Sequence, residues 1–201
     1  EAVRNVADRL GLNRHVEVRV VDLEMSPVVF CPLLRPVVLL PAGLLDQFSR
    51  NEIDTILAHE LAHVRRLDHR VRQLEILVSI LFWWCPVVWW VRRRLRQSEE
   101  VCCDAEVLRA FPHAGQTYAR SLLKTVEMLR AGGRRPAPMG STLGRAGELR
   151  NRVERILEGR RERPRPWTGR VFLLGLACVL PLSLRATGAA EAPSASVEAK
   201  Q

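Results

Sequence analysis

Residues 49–66 read SRNEIDTILAHELAHVRR. Ser49 with Glu52 fits a capping box, in which the two side chains satisfy N–H groups left free at a helix start. Ile53, Ile56, Leu57 and Leu61 then recur at helical spacing and supply a buried stripe. The stretch predicts a core helix running to about Leu67. His59 and His63 are four residues apart on it, so they share a face, with Cβ atoms about 5–6 Å apart. Two neutral imidazoles aimed at one point suit a tetrahedral zinc ion. Glu60, at the edge of that face, is placed to take a proton from a water molecule and return it to a leaving amine. The plain alternative is a chance spacing on an exposed helix. The capped start and the apolar stripe argue against it, because an unpaired glutamate in a core helix is costly without a role. The pattern points to a zinc hydrolase with one zinc ion per chain.

A catalytic zinc keeps three protein ligands and one open position. The other histidines are His15, His69 and His113. His69 lies six residues past His63 and faces elsewhere on a continuous helix. A carboxylate from a second helix is the alternative, and Glu99-Glu100-Val101-Cys102-Cys103-Asp104 supplies candidates. Glu100 and Asp104 are i and i+4, so one can bind the metal while the other accepts the outer N–H of a ligating histidine. Glu99 is the rival ligand. It has no carboxylate four residues on, which favours Glu100. A solvated acidic turn is the plain reading of both glutamates. Cys102 and Cys103 read as small residues packing one helix on another, since the CxxC spacing of a structural zinc site is absent.

Working outward, residues 2–10 predict a short helix that Gly11 can end, and Val16, Val18 and Val20 alternate as a half-buried strand. Pro27–Cys31 and Pro36–Leu40 read as paired strands, and 42–48 as a short helix. Residues 70–95 are helical in pattern with an interruption at Pro86. Helices follow over 97–110 and 117–129, and Leu149, Val153, Ile156 and Leu157 mark a last soluble one. The expected fold is α+β, a small antiparallel sheet plus a helical lobe. Residues 1–160 would form the catalytic domain, 161–170 a basic linker, 171–184 an apolar segment and 185–201 a disordered tail. Ser26–Cys31 is the candidate edge strand for an extended protein or peptide substrate, with Ser26, Val28, Val29 and Phe30 offering main-chain pairing. Tyr118 and His113 are candidates for stabilising an oxyanion, with a structural role as the preferred alternative for each.

The chain has 201 residues, 47% of them hydrophobic and 26% charged, which excludes a disordered or collagen-like protein. Five cysteines, two of them adjacent, do not make a disulfide scaffold and suggest a reduced, cytosol-facing compartment. A first residue of Glu rather than Met reads as a segment of something longer. The net charge is +9. Lysine occurs only at Lys124 and Lys200, so arginine carries the positive charge, clustered at 65–72, 92–96 and 155–170. These clusters flank the apolar blocks 76–91 and 171–184, a pattern that suits an anionic membrane surface. No finger spacing, RNA-binding signature or Gly-rich phosphate loop is present, so direct nucleic-acid binding is not expected.

The metal imposes a topological condition. His63 and Glu100 must meet at one ion, so residues 64–99 must leave and return on the same side. Residues 76–91 span about 24 Å as a helix, short of a hydrocarbon core of about 30 Å. A re-entrant or interfacial segment bent near Pro86 is therefore expected, with Trp83, Trp84, Trp89 and Trp90 at headgroup level. Its plain alternative is a soluble hairpin with a tryptophan-rich core.

HELAHVRRLDH at 59–69, CPVVWW at 85–90, the arginine run after it and EEVCCDAEVL at 99–108 resemble the BlaR/MecR-type membrane metallopeptidases. These are gluzincins, distantly similar to the Ste24/HtpX-type membrane proteases. The resemblance extends through RPVVLLPAGLL, YARSLLK and LRNRVERIL, over roughly residues 1–185. It implies His59, His63 and Glu100 as zinc ligands, Glu60 as the base and Asp104 as the outer partner. It also implies a winged-helix repressor as substrate, cut in the cytoplasm after a signal is sensed outside, and a protease able to cut itself. Residues 171–184 would then cross the bacterial inner membrane, with the catalytic site in the cytoplasm and the tail outside. Two rivals are a general membrane quality-control zinc protease and a non-enzymatic signalling scaffold. The intact HExxH with Glu100 opposes the latter.

Overall fold

Gly11, at a φ of +67°, closes the first helix by adopting a backbone that other residues reach only with strain. The computed structural model describes residues 2–13, 15–23, 25–31, 35–131 and 142–159. The linker, membrane segment and tail expected over 161–201 lie outside the described residues. The elements are α1 (Ala2–Arg9), β1 (Glu17–Val21), β2 (Val28–Phe30), β3 (Val37–Pro41), α2 (Ala42–Gln47), α3 (Arg50–Arg65), α4 (Asp68–Leu81), α5 (Pro86–Ala110), α6 (Gly115–Ala131) and α7 (Thr142–Leu157).

The sheet has the order β1-β3-β2. β2 and β3 form the expected antiparallel pair, with Val29 opposite Val38. The expectation of an all-antiparallel sheet is corrected by β1, which runs parallel to β3. After Val21 the chain passes to the far edge, forms β2 and folds back as β3 into the middle. The alternation of Val16, Val18 and Val20 does not say which way the strand runs, and it tracks burial only in part, since Val16 is buried and Val18 half-buried while Val20 is exposed. β3 buries Val38 and Leu40 against Leu57, Leu61 and Val64 of α3. The same core takes Val6 and Leu10 of α1, Val107 of α5, Tyr118 of α6 and Ile156 of α7. α3 is thus the central helix, covered by sheet on one side and helices on the other.

The helical boundaries differ from the sequence reading at two places. α3 and α4 are separated at Leu67, whose φ is +59°. That single left-handed residue turns the chain sharply, so α4 starts at Asp68 rather than near residue 70. The second difference is that 86–110 is one helix of 25 residues. Pro86 sits in its first turn, where its missing N–H costs nothing. No glycine or proline follows it before Pro112, and the change from apolar to charged composition near Arg92 leaves the backbone undisturbed. α4 and α5 form a hairpin that leaves α3 and returns to it, which meets the same-side condition. No helix among the described residues is long and apolar enough to cross a membrane.

Candidate metal centre

The start of α3 is fixed by the capping box, in which the Ser49 N–H and hydroxyl both donate to the Glu52 carboxylate at 2.9 Å. Apolar burial along the helix then sets its rotation. Leu57, Ala58, Leu61 and Ala62 face the core, and His59 and His63 follow on the adjoining face toward α5. Their rings stand edge to face with centroids 4.9 Å apart. Across from them is Glu100 of α5. Its carboxylate oxygens lie 3.4 Å from His59 Nε2 and 3.8 Å from His63 Nε2. One ligand atom from each of the three residues lies within 4.8 Å of the others.

The far side of each imidazole is fixed by its partner. His63 Nδ1 is 2.9 Å from the Asp68 carboxylate. An ionised carboxylate only accepts, so Nδ1 carries the proton and Nε2 presents its lone pair. On the other ring, Tyr118 donates its hydroxyl proton to Asp104 Oδ1 at 2.5 Å and lies 2.8 Å from His59 Nδ1. With that proton spent on Asp104, the tyrosine oxygen must accept from His59 Nδ1, and Nε2 of His59 is again the free lone pair. Two Nε2 lone pairs and a carboxylate facing one space form an N₂O donor set, which fits zinc with a position left open.

Asp104 therefore reaches His59 chiefly through Tyr118, its own oxygen being 3.5 Å from His59 Nδ1. It is also held by Arg152 of α7, through Nε at 2.9 Å and an Nη at 2.7 Å. The other Nη of Arg152 is 2.7 Å from Glu100. Burial opposes ionisation of Glu100. While the histidines carry a proton on Nε2, the hydrogen bond from His59 and the His59, Arg152 and His63 charges outweigh it and hold the carboxyl well below the usual carboxylate range; a metal ion would take the place of those protons. Burial pushes Glu60 the other way, against the opposing pull of His59 and His63, so its carboxyl is more basic than an ordinary glutamate. Burial also pushes the Cys103 thiol well up. Cys103 sits 3.4 Å from His63 Nδ1 as a neutral thiol, in keeping with a packing role.

The centre opens into a cleft of about 580 Å³. Ser26, Val28, Val29 and Phe30, the residues of the candidate edge strand, form one wall, with Phe30 more than half exposed. Glu60 lines the floor, and α6 gives an apolar wall from Leu122 to Leu129. The two oxyanion candidates are corrected. The Tyr118 hydroxyl is committed to Asp104 inside the core, and His113 lines a separate depression with Leu108, Gly115 and Ile156. Glu99 is separated from the histidines. It is 1% exposed and 3.0 Å from Arg72 at the α4–α5 contact, so the solvated-turn reading does not hold for it.

The family model described as BlaR1 peptidase M56 matches residues 1–156. The chain belongs to the M56 peptidase family. Among curated relatives, an alignment over 95 residues that covers 45% of this M56 chain is 32% identical to the "Regulatory protein BlaR1" of Bacillus licheniformis. A further match, 30% over 100 residues or 49% of the chain, is to the "Methicillin resistance mecR1 protein" of Staphylococcus aureus, and Staphylococcus epidermidis gives the same figures. The aligned parts are 16% and 17% of those relatives' own lengths, so the chain spans less than a fifth of each.

Asp68 and Arg152 were missed from the sequence of this M56 chain. Asp68 is legible only to a reader who knows that Leu67 is left-handed. Arg152 is 48 residues from Asp104 and carries no local signal. The geometry separates the two glutamates experimentally. Glu100→Ala is expected to lower zinc affinity and peptide cleavage together, by at least about 10-fold. Glu99→Ala should leave zinc content unchanged and cost about 1–3 kcal/mol of stability, because the Arg72 contact is lost in the α4–α5 packing. Elemental analysis beside thermal melts checks both. Zinc loss in Glu99→Ala with retention in Glu100→Ala would reverse the assignment.

Proposed function

We propose that this chain is the gluzincin-type zinc endopeptidase domain of a membrane-bound regulator, acting on a cytoplasmic protein substrate. The observation that carries the reading is the convergence of two oriented histidine Nε2 atoms and the Glu100 carboxylate beside Glu60, at the floor of a strand-walled cleft. His59, His63 and Glu100 would hold the zinc. The ion supplies Lewis acidity to the scissile carbonyl and the attacking water when bound. The chain does the rest. An extended peptide adds antiparallel to β2, whose outer edge borders the cleft, and is held by main-chain hydrogen bonds. Glu60 accepts a proton from the attacking water and delivers it to the departing amide nitrogen. Asp68 and the Tyr118–Asp104 pair keep both imidazoles in the tautomer this requires.

The substrate we assign is a winged-helix transcriptional repressor, cut after an external signal. The names of the relatives, a regulatory protein and a methicillin resistance protein, support that choice. The test is co-expression of the full-length protein with small repressors encoded beside it, with cleavage mapped by mass spectrometry. A single chelator-sensitive cut in one repressor supports the reading. Broad degradation of unrelated membrane proteins would favour the quality-control alternative and overturn it.

The α4–α5 hairpin is the proposed membrane contact, with the catalytic site on the cytoplasmic side. Its tip exposes Trp83 at 68%, Trp84 at 62%, Trp89 at 52% and Trp90 at 61%, together with Ile80, Leu81 and Val87. Among the described residues these side chains are not packed into a core. No Asp or Glu occurs between residues 76 and 98, and Arg92, Arg93, Arg94 and Arg96 form a collar behind the tip. Arg92 and Arg94 lie over the Trp89 and Trp90 rings. Apolar aromatic tip and cationic collar match the acyl boundary and the phosphates of an anionic leaflet. Replacing Trp83 and Trp84 with Ser is expected to weaken binding to phosphatidylglycerol vesicles by about 10-fold or more, read by co-sedimentation. Equal binding of wild type and variant would remove the hairpin from the membrane contact.

A further inference from the structure

α7 is the last helix among the described residues, and it reaches the metal centre through one side chain. Its packing against α5 rises in three steps, each four residues on. Glu148 accepts from Arg93 at 3.1 Å and from Gln97 at 2.6 Å. Arg152 spans Glu100 and Asp104. Ile156 enters the core, 2% exposed. The first and third steps are ordinary docking. The second is not, because both of its partners belong to the centre.

The guanidinium has the geometry of a template. Its Nε and one Nη form a two-pronged contact with Asp104, at 2.9 and 2.7 Å, and its other Nη meets Glu100 Oε2 at 2.7 Å. The planar fork fixes the angle between the two carboxylates, which a lysine ammonium cannot do. Glu100 has several rotamers open to it, and the contact selects the one that faces the two histidines. Asp104 in turn anchors Tyr118, and Tyr118 orients His59. A single arginine therefore sets two of the three proposed ligands, one directly and one through a relay of two residues.

Resting on the zinc reading above, we propose that Arg152 is the positioning residue of the metal centre, and that the centre is assembled only while α7 is docked. Arg152 acts through Glu100 and Asp104, not on the substrate. The consequence is regulatory: any event that lifts α7 from α5 withdraws the guanidinium, frees Glu100 to rotate and loosens His59. Zinc affinity and turnover then fall without any change in the HExxH helix. Control can reach the site from the C-terminal side of the chain.

The experiment uses the full chain and compares Arg152→Met, which keeps the apolar stem, with Arg152→Lys, which keeps the charge without the fork. Zinc affinity is read by chelator competition, and ligand geometry by the visible absorption bands of the cobalt-substituted protein. Arg152→Met is expected to lower zinc affinity about 10–100-fold and to change the cobalt bands. Arg152→Lys should recover part of the affinity but not the wild-type bands. Arg152 borders the cleft, but its donors are taken by Asp104 and Glu100, so at saturating zinc kcat of Arg152→Met should fall with KM nearly unchanged. Should Arg152→Met fail to fold, the cobalt bands of Arg152→Lys decide. Affinity within twofold of wild type and identical bands in a folded variant overturn the proposal. Zinc binding by the wild type that is indifferent to His63→Ala overturns the underlying site reading instead, and the role of Arg152 with it.

Discussion

Glu60→Gln is expected to reduce peptide cleavage by at least about 10²-fold while zinc content and KM stay near those of the wild type. Glutamine keeps the length, the planar head and the hydrogen-bonding capacity of glutamate but cannot accept a proton at the required pKa. A 10²-fold loss corresponds to about 2.7 kcal/mol of transition-state stabilisation. Glu60 stands on α3 between the two histidines and lines the cleft, yet the cluster of His59, His63 and Glu100 proposed to hold the metal leaves it out. Its substitution should therefore separate chemistry from metal binding. Burial raises its carboxyl above that of an ordinary glutamate, which makes it the stronger base. The check is kcat and KM on a cleaved repressor peptide beside elemental analysis of the same preparation. Turnover near that of the wild type would remove Glu60 from the mechanism. A parallel loss of zinc would instead mean that Glu60 is a ligand and that the three-ligand set is wrong.

Glu60, His59 and His63 were legible in the sequence because the information that places them is local. A capping box fixes where α3 starts, an apolar stripe fixes which face is buried, and i,i+4 spacing puts the histidines together. Glu100 with Asp104 was legible for the same reason, as one face of one helix. The outer partners were not. Tyr118 meets His59 across 59 residues and Arg152 meets Asp104 across 48, separations at which no periodicity survives. Asp68 is close in sequence, yet its position under His63 depends on the positive φ of Leu67, a residue type that seldom adopts it. The sheet divides in the same way. The β2–β3 pair follows from two apolar runs with a turn between them, whereas the parallel placement of β1 is decided by where the chain crosses. Strand alternation is silent on that.

Removing the metal is expected to abolish cleavage and to lower the thermal stability of the domain together. An ion that binds the folded chain and not the unfolded one stabilises it by about 2.7 kcal/mol at a concentration 100-fold above Kd. For a domain of this size that is roughly 5–11 °C in Tm. The argument for a sizeable effect lies in the charges around the site. Without the ion, Glu100 and Asp104 face the histidines with Arg152 as their shared cation, while Asp68, 3% exposed, leans on His63 and on Arg66 at 3.4 Å. A divalent cation relieves that excess of carboxylate. His63→Ala should behave as the metal-free protein and add a second loss, since it strips Asp68 of its histidine partner inside the core. Its Tm should then be insensitive to added zinc and lie below that of chelated wild type. Melting curves with and without zinc, for wild type and for His63→Ala, give all four values. A zinc-dependent rise in the Tm of His63→Ala equal to that of the wild type would show that the stabilising ion sits elsewhere, and the convergence of His59, His63 and Glu100 would need another explanation.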